Sequence, residues 1–471
     1  MPVPAKIRSD ALSGLHRVLA RVVDLRSEET LAVACGFAYF FCLLCSYYLM
    51  RPLRDALGLV GGANRLQWLF TATFITMLAL VPVFGMLAAR WPPHRFVPLI
   101  YRFFALNILG FGALFATGVQ ELWVSRIFFV WISVFNLFVV SIFWSVLADH
   151  FSSEQGRRLF GFIAAGGTAG ALAGPALAAV LSVQLGVATL TVLAAGLLEL
   201  AVRCFRGIAL AADAGNAGQQ ALPLARKPVA RDDAIGGSVL GGIMLILKER
   251  YLLGIVLYLL LHTFASTFLY FEQGRIVAST LADTASRTRL FAIADFATSC
   301  LTIALQLFVT GRLIRRFGVS TALALLPVAG MFAFVGIAAW PTLFMLVAAQ
   351  SMRRAVDFAV SRPGREVLFT VISREAKYKA KSVIETVVYR GGDAVSAWVF
   401  TGLAAAGIGF AGVAALSLPL TACWIWLSAW LARQQEGRAK KAGARAGGNA
   451  GVITHELAQR NGQSGTRQEE C

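Results

Sequence analysis

The sequence predicts an all-α polytopic membrane protein with about 12 transmembrane helices. Of the 471 residues, 58% are hydrophobic and only 14% are charged, which is too little charge to cover the surface of a soluble domain. The apolar residues fall into blocks of about 20, the length that a helix needs to cross a hydrocarbon core of about 30 Å. Because lipid offers no partners to backbone polar groups, such blocks must be helical.

The apolar blocks form two groups of six. We expect the first six spans near 31–54, 66–89, 96–117, 122–147, 159–182 and 185–204. We expect the second six near 251–271, 289–311, 319–338, 341–360, 381–405 and 409–431. The chain therefore divides into an N-terminal half (31–204), a polar linker (205–250), a C-terminal half (251–431) and a polar tail (432–471) that is predicted to be disordered.

The basic residues predict the orientation of the chain. The net charge is +18, and with both termini in the cytoplasm about 35 of the 43 Lys and Arg residues lie on the cytoplasmic side. The positive-inside rule thus explains the charge, and no nucleic-acid partner is expected. Residues 1–30 have an amphipathic pattern that suits a helix at the cytoplasmic interface. We expect a bacterial inner membrane protein whose linker and both termini are cytoplasmic.

Neither a cofactor nor a metal is expected. The seven cysteines are scattered, and Cys42 and Cys45 form a Cys-x-x-Cys only inside an apolar helix, where packing is the simpler explanation. His262 alone falls within a span, and one imidazole makes no metal site.

Two groups of six spans with a long linker resemble the layout of the major facilitator superfamily, in which two parallel repeats surround a cavity at the membrane midplane. The stretch Gly311-Arg-Leu-Ile-Arg-Arg-Phe-Gly318, between spans eight and nine, resembles the loop signature of that superfamily. The corresponding stretch of the first half, Gly85-Met-Leu-Ala-Ala-Arg90, is a degraded copy that lacks the usual aspartate. The resemblance implies a 6+6 pseudo-repeat.

Span five carries a glycine pattern that resembles the antiporter signature of the superfamily. The matching residues are Gly161, Gly170, Gly174 and Pro175, although alanines replace the closing pair of glycines. Glycine lets two helices approach closely, and proline removes a helical N–H and favours a kink. The alternative is the small-residue packing that membrane helices share.

Charged residues at membrane depth are the candidates for solute binding, because such charges are costly and tend to face a cavity or a partner. Span one ends with Arg51, Arg54 and Asp55; the alternative is that the arginines anchor the outer end of the helix. Span eleven carries Glu385, Arg390 and Asp393. Arg390 and Asp393 are spaced for an i, i+3 pair, which either is structural or belongs to the solute site.

Other charged candidates lie in the second half. Glu272 and Arg275 follow span seven, Asp295 lies in span eight, and Arg353, Arg354 and Asp357 lie in span ten. We assign Arg51, Arg54, Arg275 and Arg390, with Asn136 of span four, to the solute. Coupling or gating is assigned to Asp55, Glu272, Asp295, Glu385, Asp393, Arg353 and Arg354. A basic inner belt, or a gate between the halves, is assigned to Arg362, Arg365 and Glu366.

Four stretches resemble the ATP/ADP translocase type of nucleotide transporter, a bacterial and plastid family. They are Arg51-Pro-Leu-Arg54-Asp55, Leu269-Tyr-Phe-Glu-Gln-Gly-Arg275, Arg362-Pro-Gly-Arg-Glu-Val-Leu368 and Lys377-Tyr-Lys-Ala-Lys-Ser-Val-Ile-Glu-Thr-Val-Val-Tyr-Arg390-Gly-Gly-Asp393. The resemblance implies exchange of a phosphorylated nucleotide against another or against phosphate, with Arg54 and Arg390 at cationic positions of the family. Two positions depart from the pattern. Asp393 replaces a lysine, and span four lacks the acidic residue of the family, so that Asn136 is its nearest polar substitute.

The sequence thus predicts a secondary active antiporter of an organic anion, with a nucleotide as one candidate cargo and a proton or phosphate as counter-substrate. No stretch resembles a Walker loop, so a nucleotide is expected as cargo and no enzymatic activity is expected. The alternative is a proton-coupled efflux antiporter for amphipathic compounds, in which Asp295, Glu385 or Asp393 carries the proton. A second alternative is a scaffold or sensor that kept a transporter fold without transporting.

Reporter fusions test the predicted orientation. Fusions after Gln220 and Lys440 should both report a cytoplasmic location, because the positive-inside rule places the linker and the tail there. A periplasmic signal at either position contradicts the predicted topology.

Overall fold

The computed structural model describes residue 17 and residues 25–118, 121–217, 239–372, 380–381 and 383–465. The predicted interfacial helix of residues 1–30 lies largely outside these ranges. Within them, every regular element is helical.

Twelve long helices follow one another through the described ranges. In the first half they are α1 (Thr30–Leu57), α2 (Leu66–Arg90), α3 (Pro93–Thr117), α4 (Glu121–His150), α5 (Ser153–Gln184) and α6 (Gly186–Ala217). A short helix, Val239–Lys248, precedes the second half. There the helices are α7 (Arg250–Thr280), α8 (Thr284–Leu305), α9 (Gly311–Ala339), α10 (Leu343–Val356), α11 (Tyr389–Ala405) and α12 (Phe410–Gly465).

These helices account for the predicted spans. Among the described residues, nine helical stretches are long and apolar enough to cross a membrane. One of them, Thr284–Ala339, has 56 residues and is broken at Gly318 (φ 77°), so it supplies two spans: α8, and the part of α9 that follows Gly318. The remaining two spans, α10 and α11, carry several charged residues, which lower their mean hydropathy. The predicted all-α polytopic fold is confirmed.

Each half has its own buried core, although the core of the first half also takes in Ala292 of α8, and a further cluster joins the halves. The joining cluster packs Leu59, Leu66 and Phe129 of the first half against Phe268 and Phe271 of the second. It lies where α1 ends and α2 begins, which we call the distal side. The opposite side, where α1 begins, is the terminal side. Among the described residues, no buried cluster joins the halves on the terminal side.

Two helices extend beyond their predicted ends. α6 continues to Ala217, and α12 continues to Gly465. The segment from Ala432 to Gly465, for which the sequence predicts disorder, is thus part of α12 in the described residues. The physical reason is that Ala, Arg, Lys, Gln and Glu all have high helix propensity, and they extend a helix that the membrane span has already nucleated.

α5 packs against α1 through glycines spaced by four residues, which form one stripe on the helix. A Cβ at Gly170 would collide with the carbonyl oxygen of Phe41 and would lie 2.9 Å from the amide nitrogen of Cys45. A Cβ at Gly174 would lie 2.8 Å from the carbonyl oxygen of Cys45, and Gly166 repeats the arrangement one turn earlier. The two backbones are therefore in direct contact, as in other small-residue interfaces between membrane helices.

Gly161 does not belong to this contact. No atom lies within 4 Å of the position that a Cβ would take at Gly161. The residue precedes Gly166 by five positions, which places it about 140° around the helix from the glycine stripe. The close approach expected of the antiporter-like motif is thus made by Gly170 and Gly174, and α5 remains helical through Pro175.

Gly170→Ala should destabilise the protein by about 1–3 kcal/mol, because the added methyl group must push α5 away from the backbone of α1. Thermal unfolding of the purified protein, followed by tryptophan fluorescence, measures the effect. Gly161→Ala is the matched control: it meets open space and should leave the melting temperature unchanged or raise it. Equal melting temperatures for the two variants contradict the packing argument.

Candidate functional site

A large cavity lies between the two halves. Its volume is about 900 Å³, and its lining comes mainly from α1, α4 and α5 of the first half and α7, α8, α10 and α11 of the second. Small-molecule sites in proteins have volumes of about 300–1,000 Å³. The cavity is therefore large enough for an organic solute.

The charged side chains of the lining are predominantly basic. Six arginines and four aspartates line the cavity: Arg51, Arg54, Arg353, Arg354, Arg362 and Arg390, with Asp55, Asp295, Asp357 and Asp393. With His262 neutral, these charges leave an excess of two positive charges. Because charge at membrane depth is costly, each arginine needs a carboxylate, a polar side chain or a ligand beside it.

Contacts between the halves close the distal side of the cavity. The hydroxyl of Tyr270 donates a hydrogen bond to Oδ1 of Asp55 (3.0 Å). Nε1 of Trp398 donates to Oγ1 of Thr71 (3.0 Å), and its ring packs edge-on against Trp68 with 4.8 Å between centroids. Together with the apolar cluster that joins the halves, these contacts seal this side.

Arg54 is tied into the first half. Its Nε and Nη2 donate to Oδ1 of Asp55 (3.0 and 2.6 Å), and its Nη1 donates to Oγ of Ser133 (3.2 Å). The ring of Phe129 lies 4.7 Å from the guanidinium carbon. These contacts link α1 to α4 and orient Asp55 toward Tyr270.

Asp295 connects arginines from both halves. Its Oδ1 accepts a hydrogen bond from Nη1 of Arg354 (2.6 Å), and its Oδ2 lies 3.7 Å from Nε of Arg51. The Asp295 residue is only 2% exposed. Since Arg51 belongs to α1 and Asp295 to α8, this carboxylate links the two halves electrostatically. The 3.7 Å separation exceeds a hydrogen bond, so the donors of Arg51 are not taken up by Asp295.

Arg353 is held by an amide in place of a carboxylate. The residue is 6% exposed, and its Nε and Nη2 donate to Oε1 of Gln350 (3.4 and 3.2 Å). Gln350 in turn donates from Nε2 to Oε1 of Gln273 on α7 (3.1 Å). The two amides orient the guanidinium but supply no negative charge, so Arg353 contributes to the excess positive charge of the cavity.

Asp357 faces several basic groups at once. Its Oδ2 lies 3.8 Å from Nε of Arg362 and 3.9 Å from Nε2 of His262, and its Oδ1 lies 3.7 Å from Nη2 of Arg365. All three distances exceed a hydrogen bond. The backbone here is a π-helical segment, Asp357–Ser361, a local distortion that is frequent at functional sites.

α11 brings Arg390 and Asp393 to the cavity. Nη1 of Arg390 lies 3.8 Å from Oδ2 of Asp393, whose Oδ1 accepts a hydrogen bond from Oγ1 of Thr267 on α7 (3.3 Å). A second π-helical segment, Ile384–Val388, directly precedes Tyr389 and Arg390. Among the described residues, the loose ion pair leaves the donors of the Arg390 guanidinium without a hydrogen-bond acceptor.

Most residues that the sequence singles out line this cavity. They are Arg51, Arg54, Asn136 and Arg390 from the proposed solute site, and Asp55, Asp295, Asp393, Arg353 and Arg354 from the coupling group. For Glu385, the described part of the chain includes the backbone in the second π-helical segment but not the side chain.

Arg275 and Glu272 lie outside the cavity, contrary to their sequence-based assignments. They form an i, i+3 ion pair (3.3 Å) near the distal end of α7, where the Arg275 side chain is 51% exposed. Gln273 lines the cavity. Arg275 follows it by two positions, or about 200° around the helix, and therefore points away from the cavity.

The structure adds residues that sequence reasoning did not assign to the site. Arg362 lines the cavity, although the sequence places it in an inner belt or gate. The π-helical segment just before it shifts the helical register, which a regular periodicity does not show. Gln273, Gln350 and His262 also line the cavity. In the sequence, all three are polar side chains within otherwise apolar spans, and this pattern indicates a position facing a cavity or a partner.

Comparisons with known proteins identify the fold. No family model matches the sequence, and no curated protein matches it. Solved structures match over most of the chain. A POT family transporter in complex with 5-aminolevulinic acid is 9% identical, with 85% of this chain and 96% of that chain covered and a TM-score of 0.59. The nucleoside transporter NupG is 13% identical, with 88% and 100% covered and a TM-score of 0.54.

A bacterial homologue of the human lysosomal transporter Spinster, in an inward-facing and unoccupied conformation, is 14% identical, with 87% and 99% covered and a TM-score of 0.53. These neighbours are transporters of the major facilitator type. The chain therefore has the major facilitator fold, as the arrangement of its spans predicts. Identities this low show the fold alone.

Asp295→Asn should destabilise the protein by about 3 kcal/mol, because it removes the buried carboxylate between Arg51 and Arg354, whose side chains are only 17% and 16% exposed. The melting temperature of the purified protein measures this loss. Glu154→Gln is the control, since it removes a carboxylate whose pair with Arg26 has side chains 72% and 70% exposed and should change stability little. An unchanged melting temperature in Asp295→Asn contradicts the role of Asp295 as the shared counter-charge.

Proposed function

We propose that this protein is a secondary active transporter that exchanges an organic anion across a bacterial inner membrane by alternating access. The two six-helix halves rock about the central cavity, which is the solute site. The observation that supports an anionic solute is the net charge of the cavity lining, which has six arginines and four aspartates. An anionic solute compensates the excess of two positive charges.

Three arginines of the cavity approach carboxylates only at distances longer than a hydrogen bond. These are Arg51, Arg362 and Arg390, at 3.7, 3.8 and 3.8 Å. Arg353, with only amide partners, joins them. The planar guanidinium fork of an arginine donates two parallel hydrogen bonds to one carboxylate or phosphate. Arg51 belongs to the first half and the other three to the second, so a solute bound among them contacts both halves, as a transporter that rocks around its cargo requires.

Aromatic rings lie beside these arginines and favour a cargo that carries a ring. The guanidinium carbon of Arg362 lies 4.4 Å from the ring centre of Phe358, and that of Arg390 lies 5.8 Å from the ring centre of Tyr389. A nucleotide, whose phosphates suit arginine and whose base suits an aromatic ring, is therefore one candidate cargo. It also agrees with the resemblance to the ATP/ADP translocase type.

The orientation follows from the distribution of basic residues. We place the terminal side, with both termini, in the cytoplasm, because the Lys and Arg residues concentrate there. The closed distal side then faces the periplasm, and the structure corresponds to the inward-facing state of the transport cycle.

The alternative is proton-coupled efflux of amphipathic compounds. Asp295 and Asp393 favour it, because both are acids of the second half that line the cavity at membrane depth. In that case one of these carboxylates carries the proton, and the neighbouring arginines keep that carboxylate ionised during part of the transport cycle. If the protein instead exchanges anions, phosphate takes the place of the proton as the counter-substrate.

A thermal-shift screen of the purified protein separates the two functions. Nucleotides or sugar phosphates should raise the melting temperature, because a ligand that binds only the folded state stabilises it by about 2.7 kcal/mol at a concentration of 100 times Kd. Amphipathic cations should not. If only the cations raise the melting temperature, the efflux alternative is supported. If none of the anions raises it, the proposal of an anionic solute is contradicted.

Arg390→Lys should then keep the fold but weaken binding of the solute found in that screen by about 1.5–3 kcal/mol, because lysine does not reproduce the arginine fork. The charge-swapped variant Arg390→Asp/Asp393→Arg is the control, since it keeps the ion pair but moves the cation. If both variants retain wild-type affinity and uptake into proteoliposomes, Arg390 serves only the pair with Asp393 and is not part of the solute site.

A further inference from the structure

A second cavity lies on the outside of the first half, between α2 and α4. Its volume is about 740 Å³, and it shares no lining residue with the central cavity. Trp68, Trp123 and Ile127 line it and are 60%, 59% and 56% exposed. We call it the α2–α4 groove. It faces the lipid, and the proposed solute site makes no use of it.

The walls of the α2–α4 groove are two apolar stripes that run in the same direction. On α2, Leu69, Ala72, Thr76 and Leu80 recur every three or four residues and so share one face. Ile127, Val130, Trp131 and Val134 form the matching stripe on α4. Both helices begin on the distal side, so both stripes descend from that side into the membrane.

The length of the groove fits an acyl chain. From Arg65 to Leu80 the helix rises about 22 Å at about 1.5 Å per residue. One leaflet contributes about 15 Å to a hydrocarbon core of about 30 Å. The groove therefore begins at the membrane interface and continues past the depth of one leaflet.

Two arginines lie at the distal end of the groove. Arg65 stands at the start of α2 and is exposed, and Arg126 lies in the second turn of α4. Nη2 of Arg126 is 3.8 Å from the position that a Cβ would take at Gly61, in the connection that leads to α2. The guanidinium carbon of Arg126 also lies 4.9 Å from the ring centre of Trp123. Neither arginine forms an ion pair with a described carboxylate.

We propose that the α2–α4 groove binds one anionic phospholipid, with its phosphate between Arg65 and Arg126 and one acyl chain along the two stripes. The choice of occupant rests on charge complementarity. Two cations at the interface end and apolar walls below them match a negatively charged headgroup above a hydrocarbon chain. Trp68 and Trp123 lie at the same end, where aromatic rings favour the level of the headgroups.

Native mass spectrometry of the full chain tests the proposal. The purified protein is equilibrated with equal amounts of phosphatidylglycerol and phosphatidylcholine that carry identical acyl chains. The wild type should retain one phosphatidylglycerol in preference. Arg65→Gln/Arg126→Gln should lower that preference roughly 25-fold, since each basic residue near an anionic lipid contributes about fivefold.

Two further variants keep the test decisive. Arg289→Gln removes an exposed arginine near the start of α8, outside the groove, and should leave the preference unchanged. Ala72→Phe fills the groove while both arginines remain, and it should reduce retention of phosphatidylglycerol at least fivefold. If the double arginine variant does not fold, the result with Ala72→Phe decides whether the proposal holds. Equal retention of the two lipids by the wild type, or unchanged retention in folded Ala72→Phe, overturns the proposal.

Discussion

The cost of burying charge in a membrane determines the arrangement of the central cavity. An isolated arginine at the centre of a span costs at least about 2.5 kcal/mol on insertion scales, and the cavity lining has six arginines. Asp55 neutralises Arg54 and Asp295 neutralises Arg354 through hydrogen bonds of 2.6 Å. The remaining arginines face carboxylates at longer distances or, as with Arg353, only amides. The lining is thus incompletely compensated, which is the physical basis for proposing an anionic solute.

Polar and charged contacts also connect the two halves, but they are too weak to hold the halves in one fixed arrangement. Each half has its own apolar core, and the backbones of α1 and α5 touch along the glycine stripe, which makes the first half a firm unit. Across the boundary the polar contacts among the described residues are modest: Tyr270 with Asp55, Trp398 with Thr71, Ser299 with the carbonyl oxygen of Ala171, and the 3.7 Å approach of Arg51 to Asp295. A single hydrogen bond contributes only about 1 kcal/mol net, so such contacts could break and reform, as the proposed rocking of the halves requires.

Several features of the candidate site were predictable from the sequence because they depend on chemistry at one position. A charged residue in an apolar block must face a cavity or a partner, and this reasoning singled out Arg51, Asp295 and Arg390, which line one cavity in the structure. It misplaced Arg275, which sits on the far face of α7 because the last turns of that helix lie at the interface, where a charge needs no cavity. The resemblance to nucleotide transporters remains a prediction about the cargo.

The sequence by itself determined that this chain is a polytopic α-helical membrane protein of 12 spans, because the length and apolarity of each block are local properties that lipid enforces on every segment separately. Only the tertiary structure decided which charges meet, and which glycines touch another helix. Arg51 and Asp295 come from different halves, and the register of Arg362 and Arg390 depends on π-helical segments. These contacts follow from the packing of helices distant in sequence, and a one-residue change of register rotates a side chain by about 100°, which no local pattern records.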